Sequence, residues 1–219
     1  MRSVIAFLLS VGLIGAASAR EPPAYSGPDA GYVVLAVGTS SNHYSNYRLH
    51  LRKKGDTTFD QYFEYIPRDL FVGQSADFSE PDEKGVVISR PLPPGDYEIY
   101  NLEVLRTVSR DFWKAKDDFS ITFTVKTGET TYLGDFRGMM LGQPRLFGPS
   151  GDGAYFIVSD KSARDLPLAR SKKDTPAKGN VTNAIPDPAM VNSFFVRSEP
   201  LADAVHLPDP SPVTYQRIR

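Results

Sequence analysis

An all-β fold, a two-sheet antiparallel β-sandwich of about eight strands, follows from three features of the sequence. Apolar residues recur with period two, most cleanly where Phe119, Ile121, Phe123 and Val125 alternate with Ser120, Thr122 and Thr124. The 18 prolines and 17 glycines punctuate the chain at short intervals, as many tight turns require. The 13 Phe and 11 Tyr are the bulky side chains that suit a pleated, half-buried surface.

Taken in order, residues 1–19 read as an export signal. Arg2 is the basic start, residues 4–14 are a short apolar run, and Ala17-Ser18-Ala19 is an A-x-A cleavage site. That run is too short to span a bilayer. Residues 20–30, with Pro22, Pro23 and Pro28, form an extended lead-in. The sandwich is expected over residues 31–160. Residues 31–38, GYVVLAVG, are apolar at successive positions, which predicts a central strand covered on both faces. Next, Tyr47, Leu49 and Leu51 face one way, while Arg48, His50 and Arg52 face the solvated side. After the turn Lys53-Lys54-Gly55-Asp56, residues 58–65 form an aromatic strand with Phe59, Phe63 and Tyr65 at period two. Residues 69–83 read as a long loop or an edge piece.

Residues 85–90 form a strand that runs into the corner around Pro91, Pro93, Pro94 and Gly95. The prolines donate no backbone hydrogen bond, so this stretch is excluded from a sheet interior. Beyond the corner, Tyr97 and Ile99 share one phase, and Leu102 and Val104 another. The slip predicts a β-bulge near Tyr100-Asn101. Residues 105–118 read as a charged connection carrying Trp113. The strand at 119–125 leads through Lys126-Thr127-Gly128-Glu129, expected to be a hairpin turn, into a strand at 130–136. Residues 138–153 read as a loop, and 154–159 as the last sandwich strand. Residues 161–198 form a C-terminal extension in which a short helix is preferred over an extra strand, placed after Asp187-Pro188, where Met190, Val191, Phe194 and Phe195 would share one helical face. Residues 199–219 are a Pro-rich tail, extended or disordered.

The motifs Leu92-Pro93-Pro94-Gly95-Asp96-Tyr97, then Phe123-Thr124-Val125-Lys126-Thr127-Gly128-Glu129, then Tyr132-Leu133-Gly134 carry a resemblance. Over residues 86–136 the chain resembles the prealbumin-like or carboxypeptidase-regulatory-like sandwich modules of exported bacterial proteins. It is similar also to small families of bacterial envelope proteins. The resemblance implies a fold and no catalytic residues, and the 105–118 insertion departs from its shortest members.

Composition excludes several chemistries. With no cysteine there is no disulfide framework, thiol nucleophile, Cys-ligated zinc or lipid-anchored cysteine. A net charge of −1, from 25 basic and 26 acidic residues, provides no basic footprint for nucleic acid. The three histidines, His43, His50 and His206, lie in a loop, on a strand and in the tail, without metal-ligand spacing. Ser150 lacks the G-x-S-x-G context of a nucleophile elbow, and Ser159 with Lys161 lacks S-x-x-K spacing. Asp152 with Asp135, Asp117 or Asp118 is a weak calcium constellation, because their oxygens do not alternate as calcium loops require. Met139-Met140 reads as packing rather than copper ligation. Asn180-Val181-Thr182 matches a glycosylation sequon by pattern alone.

The remaining candidates are aromatic. Trp113, Phe112, Tyr44 and Tyr100, extended by Tyr47 and Tyr62, are the residues that could stack against a sugar. The reading is therefore a non-catalytic protein, periplasmic or secreted, with no cofactor and no metal. It is expected to act as a structural or interaction module toward an envelope protein, through loops or an edge strand. The alternative is a carbohydrate-binding module, toward a surface glycan, centred on Trp113.

Overall fold

The computed structural model describes residues 24–40, 45–57, 61–68, 73–106, 111–115, 117–141, 153–172, 175, 179–187, 195–196 and 213–217. The expected signal segment, His43, Tyr44, Ser150, Asp152 and His206 lie outside them. Among the described residues there are thirteen strands and one helix. The strands are β1 (Gly31–Thr39), β2 (Ser45–Lys53), β3 (Gln61–Tyr65), β4 (Phe78–Ser79), β5 (Lys84–Leu92), β6 (Gly95–Arg106) and β7 (Asp111–Ala115). They continue with β8 (Ile121–Val125), β9 (Thr130–Leu141), β10 (Gly153–Ser159), β11 (Val181–Asn183), β12 (Phe195–Val196) and β13 (Val213–Arg217); the helix is α1 (Ser162–Arg170). No helix among the described residues is long and apolar enough to cross a membrane.

The strands form two sheets, as the alternation predicts. One has the order β12-β10-β9-β1-β5-β4 with β11 beside β9, and the other β13-β7-β6-β2-β3 with β8 beside β6. The second sheet is wholly antiparallel. In the first, β1–β9, β10–β12 and β11–β9 are parallel, a feature that alternation alone does not encode.

Burial follows the period of the sequence. Val33, Leu35 and Val37 of β1 meet Tyr47, Leu49 and Leu51 of β2 in one core, with Phe63, Ile99, Phe123, Phe136 and Phe156. The opposite face of β1, Val34 and Ala36, is covered as well, by Tyr132, Val87 and Ala169 of α1. The doubly apolar β1 is thus the central strand of its sheet. The expected bulge is present: His50 pairs with Asn101 and Leu51 with Ile99, leaving Tyr100 as the extra residue. That insertion returns Leu102 and Val104 to the core.

Several expectations are corrected. The Lys126–Glu129 turn forms, with Glu129 N donating to Lys126 O at 3.1 Å, but it is not a hairpin. It joins β8 to β9, which belong to different sheets. Residues 105–118 hold β7, paired with β6, rather than a plain connection. The start of the expected 138–153 loop is strand, since β9 runs on to Leu141. Phe195 lies in β12 and not on a helix, whereas α1 forms at 162–170 despite Pro167 in its interior. The tail contributes β13, which pairs with β7. His50 is not solvated: it is 5 % exposed, its ring packed between those of Tyr62 and Tyr100.

Candidate functional site

The sandwich opens where the outer edge of β3 faces the outer edge of β5. Their main-chain directions can be read from the contacts that do form. Gly85 O accepts from Asp77 N, and Val87 N donates to Asp77 Oδ2, both at 2.8 Å. Main-chain groups of the odd-numbered residues of β5 therefore point away from β1. Pro91 falls in this outward series, so its missing N–H costs the sheet no bond. β4 covers only Gly85 and Lys84, and Asp77 caps Val87, which leaves Ser89 directed outward. On β3, Tyr62 O and Ile66 O accept from Arg90 Nη1 and Gln74 N, so the even-numbered residues point away from β2. Glu64 is the outward position between them.

These two edges border a cleft of about 510 Å³. Val86, Val87 and Ile88 of β5 line it as well. At one side Arg90 braces the sheets, donating to Tyr62 O at 2.7 Å. At the other rim Lys172, two residues beyond α1, pairs with Asp77 at 2.6 Å. Glu64 is held by Arg48 at 2.8 Å. The Ser89 hydroxyl, which also lines the cleft, is buried with no hydrogen-bond partner among the described residues. A ligand here meets outward-directed main-chain groups on two edges and charges of both signs at the rim.

Tyr47, Tyr62 and Tyr100, the candidates whose side chains are described, are already engaged with neighbours. Val104 stands opposite Trp113, and Leu105 opposite Phe112. One face of the Tyr100 ring is taken by Arg52, 4.1 Å from its centroid, and His50 packs against it edge-on at 5.8 Å. Arg48 similarly covers Tyr62 at 4.2 Å, and Tyr47 is wholly buried in the core. The outer face of the second sheet is thus an interlocked layer of ions and rings. Within it burial pushes the Glu103 carboxyl up, but the His50 hydrogen bond and the charges of His50, Arg48 and Lys114 outweigh this and hold it below the usual range.

Of the acidic constellation, Asp152 lies outside the described residues, and two of its expected companions are apart. Asp118 pairs with Arg52 on the second sheet, whereas Asp135 lies under α1 on the first. No group of three or more His, Asp or Glu among the described residues is arranged to hold a metal ion. Met139 sits in β9 opposite Tyr155, and Ser159 ends β10 with its hydroxyl 3.4 Å from Asp135. Of the cleft residues, sequence reasoning singled out Tyr62 alone. The signal that could have found the rest is Pro91, which marks β5 as a strand with an open side.

Comparison with protein-family models, with curated proteins and with solved structures found no match for this chain.

Proposed function

We propose that this protein is a non-catalytic binding module of the bacterial envelope, exported to the periplasm or beyond. It takes up an extended segment of a partner protein along the cleft between β3 and β5. The observation that carries this reading is the pair of outward main-chain positions, Glu64 and Ser89, on the two edges that border the cleft. Extended peptides bind sheet edges through just such groups, and pockets beside the edge select their side chains. The two-signed rim favours a peptide that carries charged residues of both signs. The carbohydrate reading has less support, because Arg52 covers one face of Tyr100 and Arg48 one face of Tyr62.

The test is selection from a displayed random-peptide library, followed by amide chemical-shift mapping. Binding should shift Glu64 and Ser89 first. Ser89→Pro, which removes the outward N–H, should weaken binding at least tenfold, while Thr124→Ala on β8 should not. Peptides that map elsewhere, or that bind S89P as well as the parent, would overturn the reading. A fluorescence response of Trp113 to oligosaccharides with no peptide binding would favour the alternative.

A further inference from the structure

The outer face of the first sheet holds a second cluster, away from the cleft and independent of what the cleft binds. Arg164, in the first turn of α1, lies with its guanidinium 3.5 Å from the centroid of the Phe78 ring. Around it stand four carboxylates: Asp165 at 2.7 Å, Asp135 at 2.8 Å, Glu80 at 3.2 Å and Glu83 at 3.5 Å. Three of them are buried, with Glu83 3 %, Asp135 1 % and Asp165 0 % exposed. The other charged and titratable groups facing Glu83 and its neighbours are few. Lys161 pairs with Glu80 at 3.5 Å, Arg137 acts on Glu83 from β9, and Tyr132 donates to Asp165 at 2.7 Å. Four carboxyls thus face three cations.

Glu83 Oε1 is the point of imbalance. It is buried, and no N–H or O–H group among the described residues donates to it. Asp135 is its carboxyl neighbour, and two buried carboxylates side by side cannot both hold their charge cheaply. A proton on Glu83, donated to Asp135, supplies the missing hydrogen bond and balances the count. Gly38 makes room for this arrangement, since a Cβ there would collide with Glu83 Oε1. We propose that this shared proton fastens α1 to the sheet, so that its loss releases α1 and, with it, Lys172 from the rim of the cleft.

The direction follows from linkage. Burial first, then the Asp135 charge, raise the Glu83 carboxyl from 4.5 to about 8, against the opposing pull of Arg164. Burial likewise raises Asp135, again opposed by Arg164. With α1 lifted, both carboxyls meet water and return toward ordinary values. Between about 4.5 and 8 the docked state therefore holds a proton that the lifted state has released. Docking weakens as pH rises through that window, by at most about tenfold per pH unit for one proton, and levels off above it.

Hydrogen exchange of the full chain tests this, with rates corrected for the intrinsic effect of pH. Between pH 6 and pH 9 the protection of residues 162–172 should fall at least tenfold, while that of Val33–Val37 in β1 stays unchanged. In Glu83→Gln, whose amide donates to Asp135 without titrating, α1 protection should be the same at both pH values. Asp135→Asn is the second variant and should likewise flatten the profile. Constant α1 protection in the parent, an equal fall in β1, or a profile in the folded variants as steep as the parent's would overturn the proposal.

Discussion

Arg90 and Tyr62 join the two sheets at their open edges: the guanidinium of one donates to the carbonyl oxygen of the other at 2.7 Å. The same guanidinium lies 4.9 Å from the centroid of the Phe63 ring, and the residue is only 8 % exposed. Charge-assisted hydrogen bonds of this kind contribute about 1.5–3 kcal/mol, and a cation over a ring adds about 1 kcal/mol. Arg90→Ala should therefore lower stability by about 2–3 kcal/mol in urea unfolding, read as a lower midpoint at constant slope. Arg90→Lys should recover less than half, because an ammonium lacks the planar fork that reaches the carbonyl and lies over the ring. A loss below about 0.5 kcal/mol in the alanine variant, the level of an ordinary surface change, would show that Arg90 does not brace the sheets.

Gly138 and Gly128 separate two reasons for a glycine. A Cβ on Gly138 would stand 2.2 Å from carbons of the Tyr47 ring, and Tyr47 is wholly buried with its ring edge-to-face on Phe156. Gly128 has φ +70 and nothing within 4 Å of such a Cβ. Gly138→Ala must displace a core ring, at a cost of about 3 kcal/mol. Gly128→Ala strains only the backbone, by about 1 kcal/mol. Thermal unfolding of both variants checks the order, and equal losses would remove the steric explanation.

Where side chains alternate or are apolar throughout, the fold was legible. β1, β2 and β8 lie where period and composition place them, and the phase slip at Tyr100 is a bulge. Sheet membership was not legible, because a glycine turn such as Lys126–Glu129 closes equally well between strands of one sheet or two. The helix was hidden for a physical reason. α1 contains Pro167 and buries Asp165 and Ala169 rather than an apolar stripe, so it has no amphipathic period to read. His50 belongs to the polar face by alternation, but Tyr62 and Tyr100 cover that face locally. The cleft arises from the mutual placement of the β3 and β5 edges, which are far apart in the chain. Only Pro91 marked one of them in advance.

Tyr132 offers a further test of how α1 is attached. Its hydroxyl donates to Asp165 Oδ2 at 2.7 Å and accepts from Lys161 N at 3.1 Å, at the start of the helix. Burial, then the Asp165 hydrogen bond, raise its own titration, so it stays a neutral donor across the working pH range. Tyr132→Phe leaves a buried carboxylate oxygen and a helix-start amide short of a partner. The expected loss is about 1–3 kcal/mol, with the largest fall in hydrogen-exchange protection at 161–170. Uniform loss across both sheets would assign Tyr132 to general packing instead.

Two carboxyl-to-amide substitutions should leave opposite signatures on the pH dependence of stability. Glu103 is held below its usual range, so folding favours its charged form. Its contribution is full above about 4.5 and disappears as pH falls below that value. Glu103→Gln should therefore destabilise the protein at pH 7, on the order of 1 kcal/mol for a partly exposed network, with the gap narrowing as pH falls below about 4.5. Glu83 is raised to about 8, so folding favours its protonated form, and the parent loses stability as pH climbs from about 4.5 to 8. Glu83→Gln should match the parent near pH 4.5 and exceed it in stability above pH 8. Unfolding curves at these pH values decide the matter: if both variants are less stable than the parent above pH 8, or both are more stable, the assignment of one ionised and one protonated carboxyl fails.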